Sequence, residues 1–219
     1  MPRAKIQKKA THVDMTAMCD VAFLLLTFFI LAAQFKPSSA VEVITPNSVS
    51  NKHAPEMNYF TVTIDKDNNV YVDMWQTLKA PILKEVGELT NMQFSPADIK
   101  AFENTEFVGL PLSQLKQYDA LSAEQKDKVK LPGIPYDSTN NQLLTWITAA
   151  VKASEGKQTS FLIRGDNATK YTTFKKVLDA FQKNDIYKYN LMTNAEEVPE
   201  GSELWKKNMR RIRSGEKPE

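Results

Sequence analysis

The chain has 219 residues, 42% of them hydrophobic and 25% charged, enough for one or two modest domains with a real core. A net charge of +2 excludes a polyanion binder by bulk charge, so nucleic acid is not an expected partner, and a single cysteine, Cys19, excludes an intrachain disulfide or a zinc cluster built on thiolates. The positive charge is unevenly spread: Arg3, Lys5, Lys8 and Lys9 crowd the start, six more cations lie between Lys206 and Lys217, and the middle is mildly acidic.

The first element is an apolar run over residues 15–35 that carries one charge, Asp20, and neither Pro nor Gly. At about 1.5 Å per residue its 21 residues reach roughly 31 Å, the thickness of a bilayer's hydrocarbon core. Nine Val, Leu, Ile and Phe residues between Val21 and Leu31 contribute about −0.3 to −0.6 kcal/mol each to insertion, against about +2.5 to +3.5 for a central aspartate. Asp20 lies roughly 7.5 Å in from Met15, too deep for its short side chain to reach the headgroups with ease. An acid in that place is a functional residue by default. Thr16, Asp20, Thr27 and Gln34 follow one another at offsets of four, seven and seven, so they share one helix face. A hydroxyl such as that of Thr27 also has a plain role, bonding to its own helix backbone. The basic start places the N-terminus in the cytoplasm and the rest across the membrane. A cleaved secretory signal ending near "LAAQF" is the rival reading, and Asp14 and Asp20 argue against it. A buried helix of a globular protein is disfavoured because the run is apolar on all faces.

Residues 36–56, "KPSSAVEVITPNSVSNKHAPE", read as a linker with Pro and Ser breakers in which "VEVI" has the alternation of an edge strand. His53 reads as a solvated linker histidine, and no metal site is expected. "NYFTVTIDKDNNVYVD" is a hairpin: alternating runs at 59–64 and 70–73 flank a polar turn at 65–69. A helix follows at about 80–89, with Pro81 tolerable only in its first turn. Ser95-Pro96-Ala97-Asp98 marks a helix start, Ser122-Ala123-Glu124-Gln125 a capping box, and "LPGIPYDS" a loop. Residues 142–153 form an amphipathic helix with Leu143, Leu144, Ile147, Ala150 and Val151 on one side. A short buried strand is expected at 161–164. A second amphipathic helix spans 171–182, with Phe174, Val177, Leu178 and Phe181 inward, and a closing strand spans 187–192. The fold class predicted is α+β: a single N-terminal transmembrane helix, then a small domain with two or more helices packed on a mixed sheet. The tail, 201–219, is basic, and Trp205, Met209 and Ile212 would share one face of a short helix. It is either a solvated extension or a contact for an anionic surface such as cell wall or lipid headgroups.

Enzyme chemistry finds no support. There is no P-loop, GxGxxG or GxSxG, the "RGD" at 164–166 reads as a turn after a strand, and His12 and His53 lie outside the expected domain.

The run "DMTAMCDVAFLLL" resembles the membrane segment of the ExbD/TolR family, small subunits of proton-driven motors in the inner membrane of Gram-negative bacteria. "SFLIRGDNATKYTTFKKVLDAFQKNDIYKYNLMTN" is similar to that family's strand–helix–strand ending. The resemblance covers about two-thirds of the chain. It implies a cytoplasmic N-terminus (1–14), a span (15–35), a periplasmic linker (36–56) that can fold back or touch peptidoglycan, and a periplasmic α+β domain (57–200). It implies Asp20 as the proton-carrying acid, supported by Thr16 and Thr27, with protons as the coupling ion and no other cofactor. The partners implied are an ExbB/TolQ-like membrane protein, a TonB- or TolA-like protein, and a second copy of the chain within a hetero-oligomer. The function implied is energising TonB-dependent outer-membrane transport or, alternatively, TolR-like maintenance of the outer membrane. A membrane-tethered binding module in which Asp20 only docks the helix is the competing class. Two departures stand out: many members have Pro where this chain has Ala17, and residues 75–140 are an extra segment.

Overall fold

The computed structural model describes residues 15–32, 41–50, 52–121, 123–126, 129, 131–137, 139–154 and 158–214. It divides into two units, residues 1–39 and 40–219.

The described part of the first unit is one helix, α1 (Met15–Ala32). Leu, Met, Ala and Phe dominate it and nothing in it breaks a helix. Its 18 residues amount to about 27 Å. Residues 33–35 of the expected span lie outside the described residues, and among the described residues no helix is long and apolar enough to cross a membrane. His12 and Gln34 are likewise outside the described residues.

The second unit is α+β, with helices on a mixed sheet, as the alternating and 3.6-residue patterns predict. Its elements in order are β1 (Asn47–Ser48), β2 (Tyr59–Ile64), β3 (Val70–Met74), α2 (Gln76–Thr90), α3 (Pro96–Glu103), α4 (Leu112–Asp119) and α5 (Ala123–Lys126). Then follow α6 (Gln142–Ala153), β4 (Ser160–Gly165), α7 (Tyr171–Gln182), β5 (Asn190–Leu191), β6 (Asn194–Ala195) and α8 (Glu203–Ser214). The main sheet runs β3-β2-β4-β5. β2 and β3 form the expected antiparallel hairpin, while β2–β4 and β4–β5 are parallel.

Register explains the two faces. Phe60, Val62 and Ile64 pair with Met74, Val72 and Val70, and Phe60 and Val62 with Phe161 and Ile163 on the other side. Their side chains therefore point to one face. There they meet Leu78, Ile82, Leu83 and Val86 of α2, Leu143, Trp146 and Ile147 of α6, and Val177 and Phe181 of α7. The opposite face carries Thr61, Thr63, Tyr71, Asp73 and Arg164 at the intervening positions. A smaller cluster of Val41, Tyr71, Leu110, Tyr118 and Leu131 covers part of it. Gly109 belongs to that cover: a Cβ there would collide with the Tyr71 ring.

Several expectations change. α2 begins at Gln76, one residue after β3, so Pro81 sits inside the helix rather than in its first turn. Proline removes one helical hydrogen bond, but burying Leu78, Ile82, Leu83 and Val86 along one stripe outweighs that local loss. The "VEVI" segment is not a ladder strand. Val41 and Thr45 are buried, the Ile44 amide donates to Asp166 Oδ2 at 2.9 Å, and the Asn167 amide donates to the Ile44 carbonyl at 2.8 Å. The ladder there starts beyond Thr45 and Pro46, at β1, which runs parallel to β6. The closing strand shrinks to Asn190–Leu191, because Tyr187 points to solvent and Tyr189 stacks on Phe181 at 6.1 Å. The box at Ser95 forms as read: Ser95 Oγ accepts from the Asp98 amide and Asp98 returns to the Ser95 amide. The second box begins at Ser122, outside the described residues.

Candidate functional site

α1 presents an apolar surface interrupted by one carboxylate. Every described side chain on it is exposed except Thr27, which is half-buried. Leu31 is 79% exposed and Phe28 64%, so this surface needs lipid or other helices to cover it. Thr16, Asp20 and Thr27 all fall within α1 and share a face over about 16 Å. Among the described residues Asp20 has no partner, and Cys19 beside it is exposed. The Thr27 hydroxyl donates to the Leu24 carbonyl at 2.9 Å, the self-bonding role open to it from sequence.

The second unit holds its own buried charges, which sequence reading did not bring together. Asp73 lies next to the end of β3, Lys79 in α2 and Arg164 in β4. Asp73 and Lys79 line a cleft of about 310 Å³, as do Tyr59, Glu106 and Phe107. Burial pushes the Asp73 carboxyl up to about 6, only partly opposed by Lys79, by the Met74 backbone, by the hydrogen bond from Tyr59 and by Arg164. The same burial lowers Lys79 and Arg164. Lys79 Nζ donates to the carbonyls of Glu103 at 3.0 Å and Thr105 at 2.7 Å, closing the α3 end against α2. Arg164 lies over the Phe107 ring at 5.6 Å, and its Nε has no hydrogen-bond partner. Asp119, pushed up to about 6 by burial, accepts from Thr105 Oγ1 at 3.0 Å and lies 4.0 Å from Lys126. Lys79 and Arg164 hold residues 103–107 of the extra segment to α2 and β4, while Thr105, Asp119 and Lys126 close that segment on itself. The only signals in the sequence were polar residues at outward positions of apolar strands, too weak to pair residues 73, 79 and 164.

The remaining motifs resolve locally. Asp166 of "RGD" accepts the amides of Ala168 at 2.8 Å and Ile44 at 2.9 Å, so it closes a turn. His53 is exposed and lines a groove of about 730 Å³ with Ser48, Lys52 and Asn190. Among the described residues no three His, Cys, Asp or Glu side chains gather as a metal site.

Comparison with known proteins gives two matches. The family model described as biopolymer transport protein ExbD/TolR matches residues 7–196, most of the chain. The biopolymer transport protein exbD2 of Vibrio cholerae serotype O1 is 31% identical over 74 residues, covering 34% of this chain and 54% of that protein. The chain thus spans about half the length of that curated relative. No solved structure matches.

Proposed function

Because the chain belongs to the ExbD/TolR family, we propose that it is a subunit of an inner-membrane motor driven by the proton-motive force and energises TonB-dependent transport across the outer membrane. The observation that carries this reading is the lone carboxylate of Asp20 within the apolar surface of α1. The relative's name favours the ExbD role over the TolR role.

In this reading residues 15–35 cross the membrane once, with residues 1–14 in the cytoplasm and the α+β unit in the periplasm. An ExbB-like partner covers the exposed face of α1, and a second copy of the chain shares that partner. Deprotonated Asp20 requires a wet or paired place among the partner's helices; protonation removes the charge and lets the helix pass an apolar barrier. Thr16 and Thr27 extend the polar stripe on either side of it. One charge crossing 100 mV yields about 2.3 kcal/mol, enough to bias a two-state element roughly 50-fold. Residues 36–56 then pass the movement to the periplasmic unit, which engages a TonB-like protein. The chain makes and breaks no covalent bond in this scheme.

The test is energised uptake of an iron chelate or cobalamin in cells carrying Asp20→Asn, with membrane levels matched. Loss of uptake with the partner complex intact is expected. Normal uptake would mean that Asp20 only docks the helix, or that the chain drives something other than import.

A further inference from the structure

The family match ends at residue 196, and α8 lies wholly beyond it. Nothing in the proposed motor uses this helix. None of its twelve residues is fully buried: Met209 is exposed, Ile212 is 54% exposed, and Leu204 and Trp205 are half-buried. At about 100° per residue, Leu204, Asn208, Ile212, Trp205 and Met209 fall within an arc of roughly 140°. Lys206, Lys207, Arg210, Arg211 and Arg213 fill the rest of the circumference. Arg213 and Lys206 border the apolar arc on one side and Arg211 on the other. The single acid of the helix, Glu203, is spent on Lys206 at 3.1 Å. Glu196, Glu197 and Glu200 precede the first turn, where the helix dipole favours negative charge, and Glu216 and Glu219 follow the helix in sequence.

A cover for this face must be apolar over a narrow strip and anionic along the border that carries Arg213. A bilayer surface rich in anionic phospholipid has that profile: acyl chains accept the Trp, Met and Ile side chains while headgroup phosphates meet the flanking cations. The helix is far too charged to enter a bilayer end-on. We propose that α8 is an interfacial helix that lies on anionic phospholipid and holds the α+β unit against the membrane. This rests on the reading of α1 as the anchor in one respect only. Anchoring makes the contact intramolecular and raises its effective concentration, so a weak surface helix suffices.

The experiment uses the full chain with Cys19→Ser and Met209→Cys, an environment-sensitive fluorophore on position 209, and vesicles of phosphatidylcholine alone or with one-third phosphatidylglycerol. Blue-shifted emission, quenching by spin-labelled lipid, and reversal by salt are expected only with phosphatidylglycerol. Lys206→Glu, Arg210→Glu and Arg213→Glu should each reduce the lipid-bound fraction at least about fivefold. Equal emission in both lipids overturns the proposal. So does a blue shift in phosphatidylglycerol vesicles that spin-labelled lipid fails to quench, since protein then covers the face. Carbonate-resistant retention of the chain reports on α1 separately. If retention fails, the same vesicles offered from outside still read the preference of α8.

Discussion

The two units handle a carboxylate in apolar surroundings in opposite ways. In the α+β unit each such acid has its compensation at hand. Asp119 has the Thr105 hydroxyl and Lys126, and Asp73 has the Tyr59 hydroxyl with Lys79 and Arg164 close by. In α1, Asp20 has no partner among the described residues, and the surface around it is uncovered hydrocarbon. A buried acid with partners in its own chain can serve stability. An acid on an apolar helix without them calls for a partner or a proton. Function should therefore be sensitive in α1 and stability sensitive in the α+β unit, with little crossover.

Asp20→Asn is the sharpest case. Uptake should fall to background while the urea midpoint of the α+β unit, followed by Trp fluorescence of the full chain in detergent, stays at the wild-type value. A shifted midpoint would mean that the two units are energetically joined. The converse case is Trp146→Ala. Trp146 is fully buried in α6 and stacked on Phe102 at 5.9 Å and 15°, so the truncation should cost about 3–5 kcal/mol by chemical denaturation. Its Nε1 has no hydrogen-bond partner. Trp146→Phe should therefore cost less than its volume alone implies, because an unsatisfied donor leaves with the ring. Leu25→Ala, on the exposed surface of α1, should not move the midpoint at all.

What could be read in the sequence divides along the same line. The hairpin strands, α6 and α7 were legible because alternation and 3.6-residue periodicity are local, and each of these elements buries one face. Asp20 was legible for the same reason: an acid inside an apolar run stands out within ten residues. The misreadings are long-range. Pro81 looked like a helix start because the burial that overrides it comes from the sheet and α6. Trp146 was left off the inward list of its helix although it is the largest side chain in the core. β1 and β6 are two residues each and pair across nearly 150 positions, so no local pattern could have matched them. The Asp73, Lys79 and Arg164 group comes from three elements that only the fold brings together.

Buried acids give the α+β unit a pH signature of a particular sign. Asp73 and Asp119 titrate near 6 when folded, above the ordinary carboxylate value of 3.8. Between those values the folded state binds more protons than the unfolded one, so stability falls as pH rises from about 4 to about 6 and is flat above. A carboxyl raised from 3.8 to about 6 contributes at most about 3 kcal/mol, so with the partial exposure of Asp73 discounted the drop is on the order of 3–4 kcal/mol. Asp98 and Asp166 are held below the ordinary value by backbone amides and act with the opposite sign, but only below that window. Urea midpoints at pH 4.5 and 7 should show the unit more stable at the lower pH. Asp119→Asn, which still accepts from Thr105, should remove more than half of the difference. A midpoint that rises across this window would place the stabilising partners, rather than burial, in control of both acids.

The smallest effect is expected at Thr27, and it bears on what the polar stripe of α1 is for. Its hydroxyl is already bonded within the helix, to the Leu24 carbonyl. Thr27→Val keeps the branched shape and removes only that bond, and the Leu24 carbonyl keeps its place in the helical ladder. If Thr27 merely satisfies itself, uptake should stay within about twofold of wild type at matched membrane levels. If uptake collapses as for Asp20→Asn, the hydroxyl must serve the acid two turns along the same face through a bridging group, and Thr27→Ser should then restore transport. In that outcome Thr27 and Asp20 act as one proton-handling stripe, with the roughly 10 Å between them bridged by a group from outside the helix.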